Sequence, residues 1–282
     1  MNISSIFIQN FRKLYQCHID FSNDTTLFVG ANNSGKTSAM DALGKFLAGR
    51  AFNFNDITIS NRELINKIGE QWETVDCEKP DSISEWSKLL PTLDVWLNVE
   101  PQDIHYVLGI IPTLKWRGGL LGVRLIYQPK KIDTLFSEYR EAFFAARTTE
   151  KSGEDGKKIH LFPNNLCEYL ERHLSNSFII KSYILDPTKF ASEPPQETIF
   201  EMECLVDNPL ESIIRVNMID AQRGLSDPDK QHGSDIERTR LSAKIRGYYD
   251  KYLDPEKTPL PEDLTILAAT EQARKTFDDN LE

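Results

Sequence analysis

At 282 residues the chain exceeds the usual single-domain size, so one large or two ordinary domains are expected. An apolar fraction of 40% with 10% aromatics supplies a real core, and a formal net charge of −10 means the surface as a whole does not attract nucleic acid. Any such contact must use a local basic patch, and the acidic excess lies beyond the slightly basic first fifty residues. Cysteines at 17, 77, 167 and 204 form no Cys-x-x-Cys pair, which argues against a disulfide frame or a zinc site. The histidines at 18, 105, 160, 173 and 232 are equally scattered. Met1 to Asp20 alternates apolar and polar residues instead of carrying a signal-peptide block, and no apolar run reaches membrane-span length. The expectation is a cytoplasmic protein without a membrane partner.

Ile3, Ile6, Phe7, Ile8 and Phe11 open the chain as an apolar strand. Asn10 to Gln16 makes a polar turn, and Cys17 to Phe21 returns as a second strand, giving an antiparallel hairpin. After a loop over Ser22 to Thr25, Leu27 to Val29 reads as a short buried strand. It runs into Gly30-Ala31-Asn32-Asn33-Ser34-Gly35-Lys36-Thr37-Ser38, followed by helical spacing at Ala39, Leu43, Phe46 and Leu47. Strand, Gly-x-x-x-x-Gly-Lys-Thr and helix in succession are the context that gives a P-loop its meaning. Glycines allow a turn tight enough for backbone N–H groups to converge on phosphate oxygens, and the helix that follows aims its positive end at the same anion. Lys36 is expected on the β- and γ-phosphates of ATP and Thr37 on Mg²⁺.

Ile8-Gln9-Asn10-Phe11-Arg12-Lys13, taken with Gly30 to Thr37, resembles the amino end of ATP-binding-cassette heads of the structural-maintenance, Rad50 and RecF kind. The resemblance implies an α/β P-loop NTPase of the ABC-ATPase head type, a mixed sheet with an amino-terminal antiparallel hairpin and helical insertions. It also implies that Arg12 and Lys13 lie close to nucleotide, against the alternative of an ordinary solvated turn. Within that group the chain resembles the overcoming-lysogenisation-defect (OLD) family of ATP-dependent endonucleases, through Ile219-Asp220-Ala221-Gln222-Arg223-Gly224 and Leu241 to Tyr249. That likeness implies a dimer or higher homo-oligomer, DNA as partner, and a role in anti-phage defence, alone or in a retron-type complex. The alternative is a RecF- or Rad50-like DNA-repair ATPase that cuts nothing.

From Ala51 to Ser87 the sequence is polar and irregular, with Ile65, Ile68 and Trp86 as isolated anchors. Leu93 to Val99 alternates as a strand, and Gln102 follows it. Cassette heads carry a magnesium- and water-contacting glutamine after an equivalent strand, so the resemblance makes Gln102 a metal-site candidate beside the reading of a plain surface glutamine. Lys115-Trp116-Arg117-Gly118-Gly119 is a turn, either a hairpin tip or a place where Trp116 stacks on a base, and Leu120 to Tyr127 is the next strand. Ile132, Leu135, Phe136, Tyr139, Phe143 and Ala146 predict an amphipathic helix, Leu166 to Leu174 another, and Phe178 to Leu185 and Ile213 to Ile219 two strands. From Ile236 to Glu282 two helical runs are separated by Pro255, Pro259 and Pro261.

An ATPase also needs an acidic strand end to hold magnesium and a carboxylate to activate water. Strands ending at Asp186 and Asp220 are followed by Pro187 and Ala221, not by Glu, and no Leu-Ser-Gly-Gly signature occurs. The expected organisation is therefore an amino-terminal ABC-type ATPase portion over 1–235 and the start of a helical insertion or dimerisation arm over 236–282. Cassette heads carry those parts late in the chain, after a long helical insertion, and OLD-family members carry a Toprim nuclease toward the carboxyl end, so the resemblance implies that both lie outside this chain.

Overall fold

The computed structural model describes residues 1–74, 78–80, 83–113, 115–152, 162–190, 196, 205 and 208–217. The chain divides into two compact units: Met1–Arg140 with Asn165–Met218, and Glu141–Asn164 with Ile219–Glu282. All described strands belong to the first unit. The stretches Ile219 to Gly224 and Leu241 to Tyr249, and the helical runs after Ile236, lie outside the described residues.

The sheet is built from β1 (Asn2–Phe11), β2 (Leu14–Asp20), β3 (Thr92–Val99), β4 (Gly119–Pro129) and β5 (Phe178–Leu185), ordered β2-β1-β3-β4-β5. Every neighbouring pair is antiparallel. With one residue in two facing each side, Ile6, Ile8, Leu93, Val95, Val123 and Leu125 form one apolar face, all fully buried. Phe46, Phe52 and Tyr127 join the first helix to this face, Phe52 stacking on Tyr127 with ring centroids 4.0 Å apart. The other face holds a cross-strand ion pair. Asp94 stands opposite Arg124, which donates from Nε and Nη2 at 2.7 Å each and from Nη1 to the Gln196 carbonyl. Both residues are buried, so the bidentate geometry and the third acceptor are what make the charges tolerable there.

Among the described residues the α-helices are α1 (Lys36–Leu47), α2 (Ile59–Trp72), α3 (Ile132–Ser152) and α4 (Leu166–Ser177). Asn165 caps α4, its side chain accepting from the Glu168 backbone N–H. Helix α2 occupies part of the stretch whose sequence reads as irregular. Its buried face is Asn61, Ile65, Ile68, Gly69 and Trp72, so a polar and a glycine position interrupt the apolar stripe. Asn61 is satisfied by donating to Asn10 Oδ1 at 3.1 Å and the Leu89 carbonyl at 3.0 Å.

Two expected strands do not form. Leu27 to Val29 is not in a strand: Leu27 is 80% and Val29 90% exposed. The segment joins no ladder among the described residues, and of its three residues Phe28 alone is half-buried. Ile213 to Asn217, the described part of the other expected strand, starts as a turn in which Ile213 and Ile214 N–H groups donate to the Leu210 carbonyl. Asn208 before Pro209 starts that turn by accepting from the Leu210 N–H at 3.1 Å.

Candidate functional site

The motif Gly30 to Thr37 sits against the tip of the β1–β2 hairpin and opens α1. Gly35 is the residue before the helix and adopts φ +95°, a conformation open to glycine at little cost. A Cβ there would also lie 2.9 Å from Leu14 Cδ2 on the hairpin, so the glycine serves both the turn and the close approach. No side chain caps α1 and its first turn carries no acidic residue, so nothing in the helix itself offsets the positive end.

Lys36 folds back over its own loop. Its Nζ donates to the carbonyls of Gly30 at 2.7 Å and Ala31 at 2.6 Å and to Ser34 Oγ at 3.1 Å. The loop is thus a closed turn around an ammonium group, with the exposed Thr37 beside it and Ser38 buried against the fold. An anion entering this turn would exchange those three oxygen partners for its own. Asn33, in the left-handed region at φ +67°, offers its carbonyl to Lys13 Nζ at 3.4 Å, so Lys13 reaches the loop from the hairpin.

Arg12, the other basic residue of the hairpin tip, turns its guanidinium to two carboxylates. It too is left-handed, at φ +51°, and its N–H donates to the Asp56 carbonyl at 2.8 Å. Its guanidinium donates from Nε to Asp56 Oδ1 at 2.9 Å and from Nη1 to Asp41 Oδ2, on α1, at 2.6 Å. Burial works against its charge, but the hydrogen bonds to Asp56 and Asp41 raise its pKa above the ordinary value. Asp56 is fully buried and also takes Lys45 Nζ at 2.9 Å and the Asn53 N–H at 2.9 Å. Two carboxylates and two cations therefore pair where the hairpin tip, α1 and the segment Phe54–Asp56 meet. Asp41 and Lys45 stand four apart on α1, where an isolated helix would pair them with each other. The structure instead engages each with a partner from outside the helix.

Gln102 is not brought to the loop. It lies in a short 3-10 segment after β3, is exposed, and donates to Glu100. Because β3 runs antiparallel to β1, this end of β3 lies beside Asn2, while the loop sits at Arg12 to Leu14. The length of β1 separates them, on the order of 30 Å at about 3.3 Å per residue. Trp116 is half-buried just before Gly118 and Gly119, which take positive φ in the turn that enters β4. Among the described residues no group of three His, Cys, Asp or Glu side chains is placed to hold a metal ion, and no helix is long and apolar enough to cross a membrane.

A family model for the AAA ATPase domain matches residues 1–282. The chain belongs to the AAA ATPase domain family. The chain is accordingly a nucleotide-binding ATPase domain with a mixed α/β fold. Uncharacterized protein MJECL44 of Methanocaldococcus jannaschii is 30% identical over 156 residues, 51% of this chain and 46% of that protein. The chain thus spans about half the length of the curated relative it matches. A solved structure described as "Structural biochemistry of ATP-driven dimerization and DNA stimulated activation of SMC ATPases" is 19% identical. It matches 52% of this chain and 80% of its own at a TM-score of 0.27.

Proposed function

We propose that this AAA ATPase domain is the ATP-binding part of an OLD-like, ATP-dependent DNA endonuclease acting in anti-phage defence in the cytoplasm. One observation carries the ATP site: Gly30 to Thr37 forms a closed turn whose lysine already gathers the loop oxygens at the start of an uncapped helix. Gly30, Ala31, Asn32, Asn33, Ser34, Gly35 and Ser38 supply the turn, Lys36 meets the β- and γ-phosphates, and Thr37 holds Mg²⁺. Lys13, exposed and already touching the loop, adds a second cation at its rim. The endonuclease reading rests on the resemblance of Ile8 to Lys13, Gly30 to Thr37, Ile219 to Gly224 and Leu241 to Tyr249.

Mechanistically, ATP held by the loop draws two heads of a homo-oligomer together over 1–235, with 236–282 opening the arm that pairs them. Closure then sets the access of DNA to a nuclease. Lys36→Ala tests the core of this. The substitution removes a charge that faces phosphate, and ATP affinity measured with a fluorescent analogue is expected to fall by about tenfold or more. Unchanged affinity would end the ATP-site reading. Magnesium-dependent cleavage of duplex DNA by the native gene product, present with ATP and absent in Lys36→Ala, separates the endonuclease from a RecF- or Rad50-like ATPase that binds DNA without cutting it.

A further inference from the structure

The geometry points to Arg12 as a positioning residue of the nucleotide site, acting through Asp41 and Asp56 and not by touching the nucleotide. The inference rests on the reading of Gly30 to Thr37 as the phosphate cradle, and it concerns what holds that cradle in place.

Three observations converge on it. Arg12 is the first residue of the two-residue turn between Phe11 and Leu14, which are paired across the hairpin, and it adopts a φ of +51° that side-chain-bearing residues seldom take. Such a backbone persists only where its surroundings over-determine it, and here they do: the Arg12 N–H is bound by the Asp56 carbonyl and the Nε by the Asp56 carboxylate. The remaining Nη1 bond goes to Asp41, five residues beyond Lys36 on the helix that carries the loop. The guanidinium thereby spans the hairpin tip, α1 and the segment Phe54–Asp56. Leu14, on the same tip, is in contact distance of the Gly35 position, so any shift of the tip relative to α1 is felt at the loop itself. A lysine gathers its donors at one nitrogen and lacks the planar fork whose separate Nε and Nη1 here reach two carboxylates.

A direct nucleotide contact and a positioning role predict opposite behaviour for Asp41. If the guanidinium met phosphate, Asp41 would compete for it, and removing Asp41 would leave ATP binding unchanged or tighten it. If Arg12 positions the loop, removing either partner loosens the same connection. The experiment measures the Kd of the full chain for a fluorescent ATP analogue with Mg²⁺ in Arg12→Ala, Arg12→Lys, Asp41→Ala, the Arg12→Ala/Asp41→Ala double variant and Lys36→Ala. It is run well below each variant's Tm, so that lost stability alone does not move the reading. Arg12→Ala and Asp41→Ala are each expected to weaken binding by roughly tenfold, misplacement by a fraction of an ångström being enough. The double variant should be no weaker than the worse single, since both remove one connection. Arg12→Lys should recover only part of the loss.

Asp41→Ala that binds as tightly as the unaltered chain, or more tightly, overturns the inference. So do additive losses in the double variant. Asp41→Ala removes one half-buried bond and leaves Arg12 on Asp56, so it keeps the test open if Arg12→Ala does not fold. Lys36→Ala separates the two readings: if it binds ATP normally, the cradle assignment itself fails and the inference falls with it. If it loses binding while Asp41→Ala does not, only the positioning role is lost.

Discussion

Asp56 shows how much of the loop's support depends on one side chain. It is fully buried and accepts from Arg12 Nε, Lys45 Nζ and the Asn53 N–H. Lys45 is itself buried and has the Ala51 carbonyl as its other partner. Truncating the carboxylate would strand a buried ammonium, which costs far more than the pair contributes when intact. Asp56→Ala is therefore expected to destabilise the first unit by about 3 kcal/mol, read as a lower urea midpoint. The same region sets an alkaline limit on the fold. Burial, helped by the Asp56 charge, pushes the Tyr127 phenol up to about 12 from an ordinary 10.0. Burial likewise pushes the Cys167 thiol up to about 12 from 9.0, with Glu171 adding to the rise and Arg62 opposing it. Both groups hold their protons in the fold at pH values where the unfolded chain has released them. Their contribution is complete below pH 9 and is lost as pH rises toward 12. Urea midpoints should fall steadily across that window, and Cys167→Ala should flatten the early part of the fall.

At the scale of elements, Gly69 marks where α2 meets its neighbours. Alanine in place of a mid-helix glycine ordinarily stabilises a helix by about 0.5–1 kcal/mol. Here the added Cβ would lie 2.6 Å from Leu166 Cβ, at the root of a side chain on α4 that has no room to swing aside. The helices would have to separate, and Gly69→Ala is expected to destabilise by about 1–3 kcal/mol instead, measurable by the same denaturation. That glycine, with Asn61, is also why α2 is hard to see in the sequence. Periodicity is visible only where the buried face is apolar, and this face contains an amide whose partners, Asn10 and the Leu89 carbonyl, come from distant parts of the chain. The hairpin, β3, β4, β5, α1, α3 and α4 were legible because apolar residues recur along each at the period of the element, even where polar residues such as Asp94, Arg124 and Lys45 are also buried. Leu27 to Val29 misled for the converse reason: three apolar residues describe a preference for burial but not whether a neighbouring strand is there to supply it. In the candidate site the Gly-rich turn was legible, since its spacing is local. The attachment of Arg12 to Asp41 and Asp56 was not, because nothing in the sequence says which of many charges meet across 29 and 44 residues. The placement of Gln102 away from the loop was not legible either, because strand direction is a property of the sheet that β3's own residues do not encode.

For the molecule as a whole, the division into two units decides how ligand binding will appear in solution. Trp72, Trp86, Trp96 and Trp116 are all the tryptophans of the chain, and every one belongs to the first unit, as does the loop Gly30 to Thr37. Trp72 and Trp86 lie in contact in the core, with ring centroids 5.9 Å apart, and Trp96 packs against Phe190 at 5.0 Å. Intrinsic fluorescence therefore reports the unfolding of the unit that carries the loop Gly30 to Thr37. A ligand that binds only the folded form stabilises it by about 2.7 kcal/mol at a free concentration of 100 times Kd. For a unit of this size that corresponds to an increase in Tm of roughly 5–10 °C. Mg²⁺-ATP should produce such a shift in the fluorescence-detected transition, growing with the logarithm of concentration once the site is filled. Lys36→Ala should abolish the shift while leaving the unliganded Tm nearly in place, because the lysine's three partners are oxygens at the exposed loop and not in the core. A transition that moves equally in both proteins would mean that ATP is held elsewhere in the unit, since the linkage depends on the site that discriminates folded from unfolded chain.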